Sequence, residues 1–136
     1  MFSFSVKMKP VAKGRPRLGK YGAYTPAKTR KAESFMKQEI KKIYKGKPLE
    51  DAFVLIIDFI FAPNKSDTKK TKEQKESNQI FHVKKPDLDN LVKLVKDSLN
   101  GILILDDSQI CTEITNKLFG KEDEIKITLI KKEHVL

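Results

Sequence analysis

Residues 52–62 constrain the fold more than any other stretch of the sequence. They form an almost unbroken run of aliphatic and aromatic residues, many of them β-branched. Such a run is typical of a strand buried on both faces, so it predicts the central strand of a sheet. Asp58 interrupts the run. Because an unpaired buried charge is costly, we expect Asp58 to lie either beside other acidic residues or near a sheet edge.

Apolar residues elsewhere follow periods that predict further strands and two helices. Residues 2–8 alternate as in a half-buried strand, and residues 110–119 and 125–130 read as two strands of a closing hairpin. Helical stripes follow Thr25-Pro26, as far as about Lys45, and begin again near Leu88. This order predicts an α/β fold: one small domain over residues 1–136, with a mixed β-sheet and two main helices packed on it.

Residues 64–79 differ from the rest of the chain because they contain no apolar residue. Lysines alternate there with acidic residues, so the segment cannot bury surface against a core. We expect a mobile polar loop at about 64–79, with the core continuous across it.

The charge balance points to the kind of partner. The chain has 28 Lys and Arg residues against 18 Asp and Glu, a formal net charge of +10. This excess favours a polyanion, first of all nucleic acid, although a ribosomal or membrane-surface role is the plainer alternative. No run approaches the roughly 20 apolar residues of a membrane helix, and the start lacks a signal-peptide pattern. We therefore expect no membrane partner and a cytoplasmic protein, associated with the nucleoid when bound to DNA.

An internal disulfide and a zinc-type site are excluded by the sequence. Cys111 is the one cysteine, so no internal disulfide can form, and two histidines do not complete a zinc-type ligand set.

Acidic residues occur at two places that the fold could bring together. Asp87 follows Pro86 and has the chemistry of a helix N-cap, while Asp89 and Lys93 lie one turn apart on the helix that follows. Asp106 and Asp107 come after that helix. We expect one cluster of carboxylates from these two places, although an Asp-x-Asp pattern alone is a weak signal.

Carboxylates clustered in a basic protein are most simply explained by Mg²⁺, with Mn²⁺ as a substitute ion, because Mg²⁺ takes oxygen ligands and bridges to phosphate. One ion or two could activate water in phosphodiester hydrolysis. Lys93 would then stabilise the developing charge on phosphorus. The alternative for Lys93 is an ordinary surface ion pair with Asp89.

Cations beside aromatic residues predict a nucleic-acid contact near the N-terminus. Residues 10–24 are rich in Gly and Pro, which favours a loop, and they combine Lys13, Arg15 and Arg17 with two tyrosines that could stack on an exposed base. Lys84 and Lys85 are further candidates, directly before the acidic motif. His82 either faces the site or the DNA, or is a surface imidazole. The alternative for the N-terminal segment is an ordinary solvated loop.

The sequence resembles the RusA family of Holliday-junction resolvases in five short segments: residues 84–93 (KKPDLDNL-x-K), Asn100-Gly101, residues 106–109 (DDSQ), residues 13–17 (KGRPR) and residues 24–26 (YTP). The resemblance implies a small α/β homodimer that recognises four-way DNA junctions and cuts two strands symmetrically with Mg²⁺. It also implies that Asp87, Asp89 and Asp107 are catalytic, metal-binding aspartates and that Lys93 is the essential lysine. The role of Asp106 stays open, as does which of Asp106 and Asp107 points inward.

Three functions are compatible with these features. The first is a Mg²⁺-dependent endonuclease that resolves branched DNA in recombination and repair. The alternative is a basic nucleic-acid-binding protein of the same fold that does not cut, but three carboxylates beside phosphate would repel its ligand without a metal. A nucleotide phosphohydrolase is the third, and it would not need so basic a surface.

Overall fold

A computed structural model describes residues 1–133. In chain order its elements are β1 (Phe2–Val6), β2 (Arg17–Gly19), β3 (Gly22–Tyr24), α1 (Ala27–Ile43), β4 (Phe53–Phe61), α2 (Lys69–Glu76), α3 (Leu88–Leu99), a 3-10 turn (Asp107–Gln109), β5 (Ile110–Phe119) and β6 (Glu124–Lys131). Strands β1, β6, β4 and β5 form one sheet in that order, and β2 pairs with β3 separately. The predicted α/β fold with a mixed sheet is confirmed.

Strand β4 is central, as its apolar sequence predicts. It pairs in parallel with β5 and antiparallel with β6. Its alternate residues from Phe53 to Phe61 are buried in the core, but Ile56, Asp58 and Ile60 on the other face are only half-buried. The expectation of burial on both faces was therefore wrong, because the helices cover one face only.

Asp58 lies on that second face, in the central strand of the sheet. It was expected either beside the acidic residues or near a sheet edge, and both expectations were wrong. Its carboxylate accepts a hydrogen bond from the side-chain amide of Asn116 on β5 at 3.0 Å, and Lys126 is its partner in register on β6. A half-exposed carboxylate opposite a lysine avoids the cost of an isolated buried charge.

The closing hairpin predicted from residues 110–130 was also wrong. Strands β5 and β6 follow each other in the chain but do not pair, because β4 lies between them. The most apolar strand takes the position that buries most surface, and each of the two later strands pairs with one of its edges.

Helices α1 and α3 cover one face of the sheet. α1 buries Met36 and Ile40, and α3 buries Leu91, Val95 and Leu99 of its predicted stripe. Burying such side chains fully stabilises the fold by about 1.5–3 kcal/mol each. The apolar stripe thus fixes which side of α3 faces the core, and the polar residues between these positions face outward.

Residues 64–79 were predicted to form a loop, but part of this segment is helical. They contain α2, whose N-cap Thr68 accepts a hydrogen bond from the backbone N–H of Thr71 at 3.2 Å. Lysine, glutamate and glutamine are good helix formers, and this cap supplies the start that a short polar helix needs. No side chain of α2 is buried, so the segment contributes nothing to the core, as expected.

The basic segment 10–24 is likewise more ordered than a loop. Its second half forms the hairpin β2–β3, closed by Lys20 and Tyr21 and by Gly22 at φ +107°. All six strand residues are exposed, and Leu18 and Tyr21 are 88% and 94% accessible. A two-stranded hairpin with no face packed on the core projects from the body of the protein.

Among the helices of residues 1–133, none is long and apolar enough to cross a membrane.

Candidate active site

The first candidate residues lie where α3 begins. Asp87 is the N-cap residue in extended conformation, as predicted, but its carboxylate accepts no backbone N–H of the first turn. One oxygen instead accepts a hydrogen bond from the side-chain amide of Asn90 at 2.9 Å. Asp87 is exposed, so its remaining lone pairs are open to another ligand.

Asp89 and Lys93 are exposed residues one turn apart on α3. The simple alternative for them was an i, i+4 ion pair. The ion pairs of α3 within residues 1–133 use neither of them: Lys96 pairs with Glu113, and Asp97 with Lys13. The charges of Asp89 and Lys93 are therefore not neutralised by an ion pair within residues 1–133, and both side chains can interact with a ligand.

Asp106 and Asp107 have different environments although they are neighbours. Asp106 caps the 3-10 turn: its carboxylate accepts the backbone N–H of Ser108 at 3.0 Å, and its own N–H donates to the Gln109 side chain at 2.9 Å. Hydrogen bonds from Ser108 lower the pKa of Asp106. Asp107 instead lines a cleft beside α3. The structure thus brings Asp107 to the candidate site and gives Asp106 a local structural task.

A cleft of about 390 Å³ joins the two parts of the chain. Its lining comes from α3, the 3-10 turn and β5: Asp89, Val92, Lys93, Lys96, Asp107, Glu113 and Thr115. Sequence reasoning missed Glu113 and Thr115. They are in register with Leu55 and Ile57, which are buried, so they lie on the face of β5 that the helices cover. Strand alternation predicts this face only once the pairing of β5 with β4 is known.

The predicted DNA-contacting residues divide into two groups. Arg15, Arg17, Lys84 and Lys85 are exposed. Lys13 is not free: its ammonium pairs with Asp97 of α3 and, at 3.3 Å, with Glu33 of α1. Its backbone N–H also donates to the carbonyl of Asn90 at 2.9 Å. Lys13 therefore ties the basic segment to both helices.

Comparison with known proteins decides the family. The family model described as Endodeoxyribonuclease RusA matches residues 7–130. The chain belongs to the RusA family. It is also 31% identical to the "Uncharacterized protein YqaN" of Bacillus subtilis (strain 168), over 93% of each chain. Membership of the RusA family implies that the general activity is that of an endodeoxyribonuclease.

Nucleases of the RusA type generally use a divalent metal. Asp89 and Asp107 supply two carboxylates to the cleft, whereas Asp87 is not among its lining residues. Within residues 1–133, no three acidic, histidine or cysteine side chains are close enough together to hold a metal. Mg²⁺ usually keeps several waters and binds through one or two carboxylates plus phosphate oxygens, so the donor set fits it.

His82 lies away from the cleft of this RusA-family chain. Its ring packs between Phe61 and Phe119, at centroid distances of 4.3 and 5.0 Å. Burial lowers the pKa of His82, and the charges of Lys117 and Lys75 lower it further. Its buried Nδ1 has no hydrogen-bond partner among residues 1–133. The imidazole thus packs on aromatic rings and does not line the cleft.

Proposed function

We propose that this protein is a Mg²⁺-dependent endonuclease that resolves four-way DNA junctions by paired, symmetric cuts. One observation carries the proposal: Asp89, Lys93 and Asp107 line one cleft of a RusA-family chain, and none of them takes part in an ion pair within residues 1–133. Two carboxylates and a lysine without protein partners are what a site for a metal-bound phosphodiester requires. Such a protein would work in the cytoplasm, at the nucleoid.

Each residue has a distinct role in this proposal. Asp89 and Asp107 would hold the cation in the cleft, and Asp87 would add a carboxylate from the start of α3. A bound Mg²⁺ would supply an activated water and stabilise the leaving oxygen. Lys93 faces the same space and stabilises the negative charge that builds up on the phosphoryl oxygens in the transition state.

The exposed cations provide the binding surface. Arg15 and Arg17 precede or begin the projecting hairpin, and Lys84 and Lys85 directly precede Asp87. Phosphate contacts from such residues fix the position of DNA without reading its sequence. Tyr21 at the hairpin tip is 94% accessible, so it can stack on a base that a branch point exposes.

A homodimer explains the symmetric cuts. A four-way junction has approximate two-fold symmetry, and a dimer with a two-fold axis would present two equivalent clefts to it. Each cleft then cuts one of two opposed strands. The net charge of +10 per chain supports binding to so large a polyanion.

The test is a cleavage assay on a synthetic four-way junction and on a linear duplex of matched sequence, each with Mg²⁺, with Mn²⁺ and with EDTA. We expect paired nicks on the junction with either metal and none in EDTA. Equal cutting of the duplex would remove junction specificity. Tight binding without cutting under every condition would leave the non-catalytic DNA-binding protein as the function.

A further inference from the structure

Lys117 lies on β5 on the same face as the cleft residues. It is in register with the buried Phe59 of β4, just as Glu113 and Thr115 are with Leu55 and Ile57. Its ammonium donates two hydrogen bonds, to the backbone carbonyl of Lys84 at 2.7 Å and to that of Pro86 at 3.0 Å. A lysine thus binds, by two bonds, the turn that directly precedes Asp87.

This turn has few other attachments. Between α2 and α3, residues 81–86 form no backbone–backbone hydrogen bond with any part of residues 1–133. The segment is held instead by His82, packed against Phe119, and by the Lys117 clamp. Lys117 and Phe119 lie two residues apart on the same face of β5, and Phe61 of β4 also packs against His82.

The position of the Asp87 carboxylate depends on these anchors. On its C-terminal side Asn90 holds one of its oxygens, and on its N-terminal side Pro86 is held by Lys117. We infer that Lys117 is a positioning residue, which fixes the turn 84–86 so that Asp87 can reach the cation that the cleft binds. This inference rests on the proposed function, because it assumes that Asp87 takes part in metal binding.

An ammonium suits this task better than a neutral side chain. Hydrogen bonds from a charged donor are stronger than neutral ones, and lysine can direct its donors to two carbonyl oxygens at once. The alternative role for Lys117 is a contact with a DNA phosphate. Two of its three N–H donors already engage these carbonyls, so a phosphate could be bound only by the third.

The test compares Lys117→Met, which keeps the aliphatic stem but removes the donors, with Lys117→Arg, which keeps a cation. Lys121→Met is the matched control, because Lys121 is an exposed lysine in the turn after β5. Mn²⁺ affinity is measured by calorimetry without DNA. Partners that orient metal ligands typically contribute 10–100-fold to affinity, so we expect Lys117→Met to weaken Mn²⁺ binding at least about tenfold. Lys117→Arg and Lys121→Met should stay within about threefold of wild type.

A double-mutant cycle with Asp87→Asn tests whether Lys117 acts through Asp87. If it does, Lys117→Met weakens Mn²⁺ binding much less in the Asp87→Asn background than in the wild type. Equal losses in both backgrounds would overturn the inference, as would unchanged Mn²⁺ affinity in Lys117→Met. If Lys117→Met does not fold, Lys117→Ile replaces it in the same cycle, because isoleucine also lacks donors and is a good strand former.

DNA binding in EDTA separates positioning from phosphate contact. We expect Lys117→Met to bind a four-way junction with wild-type affinity and salt dependence. A salt slope reduced by about one would make Lys117 a phosphate contact and overturn the inference. Because the Mn²⁺ titrations contain no DNA, they judge Lys117 even if the wild-type protein cuts no junction, so the two proposals can fail separately.

Discussion

The ammonium of Lys96 on α3 lies 2.9 Å from a carboxylate oxygen of Glu113 on β5, and both side chains line the cleft that contains Asp89 and Asp107. The two side chains are 24% and 32% exposed, so water screens the pair only in part. Glu113 therefore acts as a counter-charge that holds Lys96 on the wall of the cleft.

Glu113→Gln should free the charge of Lys96 for an incoming phosphate. We expect tighter junction binding in EDTA and a salt slope steeper by up to about one, because one more cation is available to the backbone. Gel-shift titrations at several salt concentrations measure both. Glu39→Gln on α1, which breaks the similar pair with Lys42 outside the cleft, is the control and should change neither. A Glu113→Gln protein with weaker binding would contradict the counter-charge role.

Asp89→Asn should abolish cleavage and leave binding intact. The amide nearly keeps the shape but removes one negative charge, so the cation loses an anionic ligand while the basic surface is unchanged. We expect at least about a hundredfold less cutting of the junction in Mg²⁺. In EDTA, affinity should be equal or higher, most visibly at low salt, because one repulsive charge is gone. Near-normal cutting would remove Asp89 from the mechanism, and loss of folding would make it a structural residue.

Asp106 and Asp107 should respond in opposite ways to the same change. Asp107→Ala is expected to lose at least about a hundredfold in cleavage with little effect on melting temperature, since its side chain faces the cleft. Asp106→Ala should keep cleavage but melt a few degrees lower, because the 3-10 turn loses its cap. Thermal melts and junction cleavage on both variants decide the matter. The reverse pattern would make Asp106 the inward ligand.

Lys13 and Arg15 are close in sequence, but their substitution by methionine should have different effects. Burial alone would lower the pKa of Lys13, but Asp97 and Glu33 outweigh it and raise the pKa, which marks a cation used within the protein. Lys13→Met should therefore lower the melting temperature and leave the salt slope of junction binding unchanged. Arg15→Met should leave the melting temperature unchanged and reduce the slope by about one. A reduced slope in Lys13→Met would return Lys13 to the DNA-binding surface.

His82 should make folding stability depend on pH. Its folded pKa is lowered, so below its ordinary value of 6.5 the unfolded chain binds a proton that the folded chain does not. Its contribution to stability is thus present above pH 6.5 and is lost as the pH falls. We expect urea midpoints of the wild type to fall between about pH 7 and pH 5, and those of His82→Phe to fall less. Parallel curves for the two proteins would contradict this.

The sequence predicted the parts of the site that depend on local chemistry. Proline before aspartate and the apolar stripe of α3 located Asp87, Asp89 and Lys93 correctly relative to the helix. Glu113 and Lys117 were not found, because the face of β5 on which they lie depends on pairing with a strand distant in sequence. The same dependence produced the wrong hairpin of β5 and β6. Helix α2 was missed because a helix without an apolar stripe has no period to detect.

Within residues 1–133, strand β5 forms an outer edge of the sheet and is hydrogen-bonded to one neighbouring strand, β4. The cleft between β5 and α3 therefore lies at the edge of the sheet, beyond which residues 1–133 add no further strand. A long, stiff polymer can enter such a cleft broadside and leave by the same route, so it does not have to thread a free end through the protein. This geometry suits cleavage within a continuous DNA strand. The position of the cut would then be selected by the protein surfaces beside the cleft.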